Sequence, residues 1–462
     1  VIGVPARLST VGALCQAWAW PLIFFQCYLI VGVFLFFLGP WPWPVTQGAG
    51  LLAFLLASQA AIAIGYLLYD PLKSPPSSSL PSGRASPAAL LTISAVVSLL
   101  LLVPTSLVRT GSAFPNLIEG ITNTGAAYNA RQVWLEQANP YAAVEYLRIL
   151  CSPFLISLLP WLVVYGARVS WMVRGIALLG VVGVLVNDVA TGTNKGIADI
   201  LVTLPWLFLL IALRGELRIR VPRWLLCVLL LAAFALFLDF FGRGQLQREG
   251  GVGEFGVFNS GKELIFADRD HSVSRQLPLS GKVIFESLTR YLGQGYFALE
   301  QSFDLEAGRT FGAGHSMFIA RNANRLFDTE RFTQESLPAQ LEQRAGWGAQ
   351  ALWHSIYPWL ASDLGFPLTI FLMGALGWLL SAVWLDALRT LRPSAVALLQ
   401  PLLILFYYIP ANNQVMQSGE SAAGFLILLV WWGLSRWRSP ESQHSQVTVS
   451  EGLSPVPTAR RQ

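Results

Sequence analysis

Apolar residues fall into ten long runs along the 462-residue chain, at roughly 18–38, 48–69, 88–108, 146–166, 172–190, 196–213, 224–241, 357–385, 395–411 and 419–435. A helix rises 1.5 Å per residue, so each run crosses, or nearly crosses, a hydrocarbon layer of ~30 Å. The runs are apolar all round and lack the polar stripe of a soluble amphipathic helix. The pattern predicts an all-α fold, a polytopic membrane bundle of about ten transmembrane helices. The shortest run is 196–213, and 172–213 also admits a broken helix. The first run, Trp18 to Leu38, is too long for the core of a signal peptide and reads as a first span.

The pattern changes between Gly242 and Ile356. Here apolar positions recur at helical spacing through Ile284, Leu288, Tyr291, Leu292, Tyr296 and Leu299. That periodicity predicts an amphipathic helix over 283–304 lying on the bundle, with further helices over 314–327 and 338–355. A segment this long between two spans is uncommon unless it has a function. The chain therefore divides into helices 1–7 (1–241), a large extracytoplasmic segment (242–356), helices 8–10 (357–435) and a tail (436–462). The tail and the linker 73–87 are rich in Ser and Pro and are expected to be flexible.

Composition and charge fit this reading. The chain is 54% hydrophobic and only 12% charged, against about 25% charged in soluble proteins. A soluble enzyme, a disordered chain and a disulfide scaffold are excluded. Four scattered cysteines read as small core residues. The net charge of +5 marks cytoplasmic loops rather than a nucleic-acid surface. With the N-terminus inside, fifteen Lys and Arg fall in inner segments, and only Arg109, Arg131 and Lys195 fall in short outer loops. Both termini are thus expected in the cytoplasm. Trp18, Trp41, Trp43, Trp161, Trp206, Trp224, Trp359 and Trp437 lie near span ends, as an aromatic belt would place them.

Polar residues near span ends gather on the outer side: Arg109, Glu145, Arg148, Asn187, Asp188, Asn194, Lys195, Asp239, Arg243, His354, Asp363, Asn412, Asn413 and Glu420. Ionisable groups at membrane depth are costly, which makes this set a candidate site. Helix caps at the water boundary are the plainer reading. On the predicted loop helix, Arg290, Gln294, Phe297, Gln301 and Asp304 share one face, flanked by Tyr291 and Tyr296. That face suits a sugar-and-phosphate wall, while Glu286–Arg290 also fits a plain i,i+4 pair. Arg321 and Arg325 stand four apart and would project together. His354, with Asp363 nearby, is a candidate general base or its orienter. Asp268–Arg269–Asp270 is a weak metal-binding pattern. No P-loop, zinc quartet or Ser-His-Asp elbow occurs, so neither metal nor cofactor is expected. Outside a cytoplasmic membrane a sugar donor must already be activated in the lipid, and Arg and Lys suit its diphosphate.

In TGTNKG (191–196), TRYLGQGY (289–296) and WHSIYPWLASDLGFP (353–367), and in its layout of spans around one large outer loop, the chain resembles the O-antigen (Wzy-type) polymerases. The resemblance implies a membrane glycosyltransferase that joins undecaprenyl-diphosphate-linked oligosaccharide repeat units in the bacterial inner membrane. Lys195, Arg290, Arg321 and Arg325 would engage diphosphate, and His354, Asp363 and Arg290 would serve catalysis. Tyr291, Gln294, Tyr296, Arg148, Tyr357 and Glu420 would line the substrate site. Membrane lipids and a chain-length regulator protein are the implied partners. An O-antigen ligase shares this architecture and donor. A mannosyltransferase-type enzyme would carry an acidic residue in the first outer loop, where GPWPWPVTQ has none. A flippase or other transporter would string charges through the midplane.

Overall fold

A computed structural model describes residues 10–72, 86–136, 141–216, 222–248 and 255–437. The fold is all-α, with a single two-stranded hairpin among the described residues. Eight helices are long and apolar enough to cross a membrane. They are α1 (Val11–Leu38), α2 (Gly48–Leu68), α3 (Pro87–Thr110), α6 (Ala142–Tyr165), α7 (Trp171–Ala190), α8 (Lys195–Leu213), α9 (Arg223–Arg248) and α14 (Ile356–Thr390). The last two predicted runs form α15 (Pro393–Tyr407) and α16 (Gly419–Trp437). α15 has only 15 residues, and almost every one is buried. Enclosed by protein on all sides, it has no lipid thickness to match. Large apolar side chains such as Phe34, Leu56, Leu100, Leu150, Leu236 and Phe371 are exposed around the flank. A band of that kind belongs against lipid. The linker 73–87, apart from its last two residues, and the tail beyond Trp437 lie outside the described residues.

The closest helix contact joins α2 to α14. A Cβ added at Gly65 would stand 1.8 Å from the Gly374 carbonyl oxygen, and one at Gly377 2.2 Å from that of Ile62. Small residues here let two backbones touch, the usual solution where lipid supplies no hydrophobic drive. At Gly365 (φ 72°) α14 kinks, so Ile356–Leu364 is a short separate piece that sets Asp363 just ahead of the longer helix.

Most of the tryptophans assigned to a belt are core residues. Trp41, Trp43, Trp161, Trp206 and Trp359 are buried, while Trp224 is exposed. Hydrogen bonding accounts for two of them, since the Trp161 indole donates to the Pro393 carbonyl (3.0 Å) and Trp41 to that of Glu286 (2.8 Å), whereas the buried Trp359 indole has no partner among the described residues. A satisfied N–H lets the ring pack inside. The cysteines are not core either: Cys27 and Cys227 are exposed and Cys15 and Cys151 partly so.

All loops that carry the large segment meet one end of the bundle. Between α3 and α6 stand α4 (Leu117–Thr122) and α5 (Thr124–Glu136); the large segment holds β1 (Val257–Asn259), β2 (Leu264–Phe266), α10 (Leu279–Ser302), α11 (Met317–Phe327), α12 (Arg331–Gln334) and α13 (Leu337–Ala345). The third predicted helix stops early, at Gly346 (φ 69°), and 346–355 runs as loop. The hairpin and α4 are too short for periodicity to reveal. The expected amphipathic helix α10 is buried on nearly every side, packed against α1, α2, α9, α13 and α14. A Cβ added at its Gly295 would stand 2.1 Å from the Pro410 carbonyl oxygen, and its Glu300 accepts from the Thr46 and Gln47 amides (2.8 and 2.7 Å) ahead of α2. A carboxylate at a helix start satisfies orphan donors and the helix dipole together.

Gly65→Val should therefore lower the melting temperature of the detergent-purified protein by several degrees, since overpacking costs about 1–3 kcal/mol or more. Gly50→Ala, with nothing within 4 Å of its added Cβ, is the control and should leave it unchanged or slightly raised, since alanine favours a helix over glycine.

Candidate functional site

Two polar centres occupy the capped end, on either side of residues 408–418. The first is basic. Arg109 of α3 donates to Asp188 of α7 (3.0 Å), and Lys195, the first residue of α8, pairs with Asp199 one turn on (2.7 Å). Arg148 of α6 pairs with Glu420 of α16 and also donates to Thr105. Arg248 at the end of α9 lies 3.8 Å over the Tyr128 ring of α5 and donates to the Gly192 carbonyl. Arg131 follows Tyr128 on α5, within electrostatic reach of Arg109, Asp188 and Arg248. Among the described residues of this cluster, five basic groups face three carboxylates. Burial first, then Arg109, pulls the Arg131 guanidinium below its ordinary value, against the opposing pull of Asp188 and Tyr128; Arg248 adds to the lowering. The buried Nε atoms of Arg131 and Arg248 have no hydrogen-bond partner among the described residues.

Local sequence explains the assembly. TGTNKG closes the α7–α8 turn, and the Thr193 hydroxyl and amide both return to the Asp188 carbonyl. Gly196 is required by proximity, because a Cβ there would lie 1.8 Å from Asp188 Oδ2. Lys195 thus stands at a helix N-terminus, as its position in the sequence predicts.

The second centre is a histidine–carboxylate pair. Asp363 accepts from the Thr310 hydroxyl (2.5 Å), the Gly312, Gly314 and His315 amides (2.9, 3.0 and 2.9 Å) and His315 Nδ1 (2.9 Å). So many donors hold it as a carboxylate, which makes His315 Nδ1 the donor. The His315 side chain stays 25% exposed. Its carbonyl accepts from Asn413 (2.8 Å), and the Ser316 hydroxyl bonds the Met416 carbonyl (2.5 Å).

Several expected site residues are placed elsewhere. His354 is not the partner of Asp363. It is fully buried, its Nε2 lies 3.2 Å from the Gly348 carbonyl, and the Trp347 and Trp359 rings enclose it. Burial holds its imidazole at about 4, against a smaller opposing effect of that carbonyl. Arg290 is not on an open wall. It is buried, its guanidinium 5.7 Å from the Trp41 and Phe258 rings, and it donates to Gln245 (3.2 Å). Gln294, Tyr296, Phe297 and Tyr357 are buried too: Trp43 of the 39–47 loop stacks on Phe297 (5.4 Å), Tyr296 meets Phe36 of α1 (5.9 Å), and Tyr357 on α14 meets Phe54 of α2 (5.3 Å). Arg321 and Arg325 do not act together: Arg321 reaches Gln350, and Arg325 the Tyr146 hydroxyl (2.8 Å). Asp268 turns its own loop, accepting from the Asp270 amide (2.9 Å). Among the described residues no group of three or more His, Cys, Asp or Glu is placed to hold a metal.

Lys195 and Arg290 do not meet, but a run of contacts links them. Asp199 lies against the Tyr408 hydroxyl, and the Tyr408 ring stacks on Trp353 (5.7 Å). Trp353 meets Tyr291 edge-on (5.3 Å), and the Tyr291 hydroxyl accepts from Gln245 (3.1 Å). Of the residues expected to line the substrate site, Lys195, Arg148, Glu420 and Tyr291 border this end. Sequence reasoning missed Arg131, Arg248 and Tyr128 as members of one cluster. The Tyr–x–x–Arg spacing on a short polar helix, 128 to 131, was the available signal. No family model, curated protein or solved structure matches the chain.

Burial of neutral His354 makes folding acid-sensitive. The unfolded imidazole binds a proton below about 6.5 and the folded one only below about 4, so stability present at neutral pH is lost as pH falls between them. At pH 5 the loss is about 2 kcal/mol. Melting curves at pH 7 and pH 5 should show a larger drop for the wild type than for His354→Gln.

Proposed function

We propose that the chain is a glycosyltransferase of the bacterial cytoplasmic membrane that joins polyprenyl-diphosphate-linked oligosaccharide repeat units on the outer face. The observation that carries this reading is the basic cluster of Arg109, Arg131, Arg148, Lys195 and Arg248, which exceeds its carboxylates at the capped end of the bundle. Partly buried positive charge in excess is costly, and an anion relieves it. A diphosphate at the headgroup level matches both the charge and the depth. The positive-inside rule puts this end outside and both termini in the cytoplasm.

In this role the cluster holds the donor diphosphate and stabilises the charge that grows on it as the sugar–phosphate bond breaks. Arg131 and Arg248 offer unsatisfied N–H groups for it. Lys195 contributes from the helix start, where backbone amides add their own attraction for phosphate. Arg290 serves differently from the expected clamp, by fixing α10 in place. The ligase reading uses the same donor site and differs in the acceptor. A transporter finds less support, because the charges gather at one end rather than along the bundle.

Each charge-assisted contact to the developing diphosphate is worth about 2–4 kcal/mol, or roughly 30- to 1000-fold in rate. Arg131→Gln should therefore accumulate single lipid-linked repeat units in cells that rely on this protein for their polysaccharide. Lys195→Gln, at a more exposed site, should shorten the polymer less. Gels of polysaccharide at matched protein level are the readout, and full-length polymer from both variants would overturn the clamp. Transfer of finished chains to a lipid core without growth would assign the ligase reading.

A further inference from the structure

The His315–Asp363 pair has no part in the diphosphate clamp, yet it has the layout of an acid–base device. Asp363 is spent on five donors, and it fixes the imidazole tautomer that carries a hydrogen on Nδ1. The lone pair is then on Nε2, for which no partner occurs among the described residues, and the ring is partly open to solvent. The loop that presents it is strained. Phe311 is a non-glycine residue with φ 51° that is 78% exposed, and the Arg331 guanidinium stands 5.7 Å from its ring centroid. A left-handed conformation costs such a residue about 1–2 kcal/mol. An exposed ring held at that cost four residues before an oriented histidine fits a saccharide, whose C–H face packs on the negative face of an aromatic.

We infer that loop 309–316 is an acceptor-sugar subsite in which His315 takes the proton from the attacking hydroxyl and Phe311 supports the sugar ring. The inference rests on the glycosyl-transfer reading and adds to it a second subsite, across residues 408–418 from the basic cluster. Asn413 and Met416 tie the loop to that segment on one side, and Tyr408 faces Asp199 on the other. In the step, the acceptor O–H proton passes to His315 Nε2 as the oxygen bonds to the anomeric carbon. The bond from that carbon to the diphosphate oxygen breaks, and its electron pair leaves on the diphosphate. The imidazolium then releases its proton to water. Asp363 is a positioning residue that stabilises the transient imidazolium without taking its proton.

The competing possibility is that His315 is merely one more donor that folds the loop around Asp363. His315→Asn separates the two, since its amide can still donate to Asp363 but cannot act as a base. The assay uses purified full-length protein in liposomes with lipid-linked repeat units extracted from the producing cells. His315→Asn should keep the wild-type melting temperature and bind the lipid-linked units normally, while turnover falls by about 100-fold or more. His315→Ala should regain part of its turnover when free imidazole is added. Phe311→Ala should raise the acceptor KM more than it lowers kcat. Wild-type turnover in His315→Asn would overturn the inference, and loss of turnover in Arg131→Gln beside it would leave the clamp standing. If the wild type itself links no units, the glycosyl-transfer reading falls, and this one with it.

Discussion

The seating of α10 against the bundle is the constraint on which the rest depends. A 24-residue helix outside any span is held because Gly295 lets its backbone reach the Pro410 carbonyl and Glu300 caps the approach to α2. A helix-interior glycine costs about 1 kcal/mol relative to alanine. Here a side chain at 295 would collide with a carbonyl, so the close contact outweighs that cost. The buried Arg290 belongs to the same seat, wedged between the Trp41 and Phe258 rings. With α10 in place, the backbone of 355–356 docks on that of 409–411, where the Ser355 and Ile356 amides donate to the Ala411 and Ile409 carbonyls (2.9 and 3.0 Å).

That docking makes residues 408–418 a partition. One side carries Tyr408 against the Lys195–Asp199 pair, and the other carries Asn413 on the loop that presents His315. Beyond its end, Glu420 joins Arg148. Charge is thus divided by the fold: excess positive charge on the side of α5, α7, α8 and α9, and a single oriented histidine on the side of α11 and α14. In the proposed transfer this division would keep the anionic leaving group with the basic side chains and the hydroxyl nucleophile with the histidine, so that binding and proton transfer fall to different residues.

The spans were legible because run length and absence of charge are local properties, and all ten predicted runs are helical. The site was legible only as a membership list. Arg109, Arg148, Asp188, Lys195 and Glu420 could be assigned to one end from topology alone. Which of them touch depends on how α5 and the α7–α8 turn fold back, and no local pattern encodes that. Asp363 was recognised but given the wrong histidine. Its nearness to His354 in sequence was misleading, because the short piece of α14 before Gly365 separates the two side chains, Asp363 meeting His315 and His354 the Gly348 carbonyl. The one that meets Asp363 is 48 residues upstream, in a loop without periodicity. The polar face of α10 misled for a related reason. A helical period says that two faces differ, not that the polar one is left open to water, and here the hairpin and the 39–47 loop cover Arg290 and Phe297 while Asp304 at the end of the face stays exposed.

The central claim is that the capped end holds a diphosphate, and lipid binding to the purified protein tests it directly. Native mass spectrometry with undecaprenyl diphosphate and undecaprenyl monophosphate at equal concentration should show the diphosphate retained in clear preference. That preference should disappear in Arg131→Gln while Arg321→Gln, outside the cluster, keeps it. Equal retention of the two lipids by the wild type, or an unchanged preference in Arg131→Gln, would contradict the account.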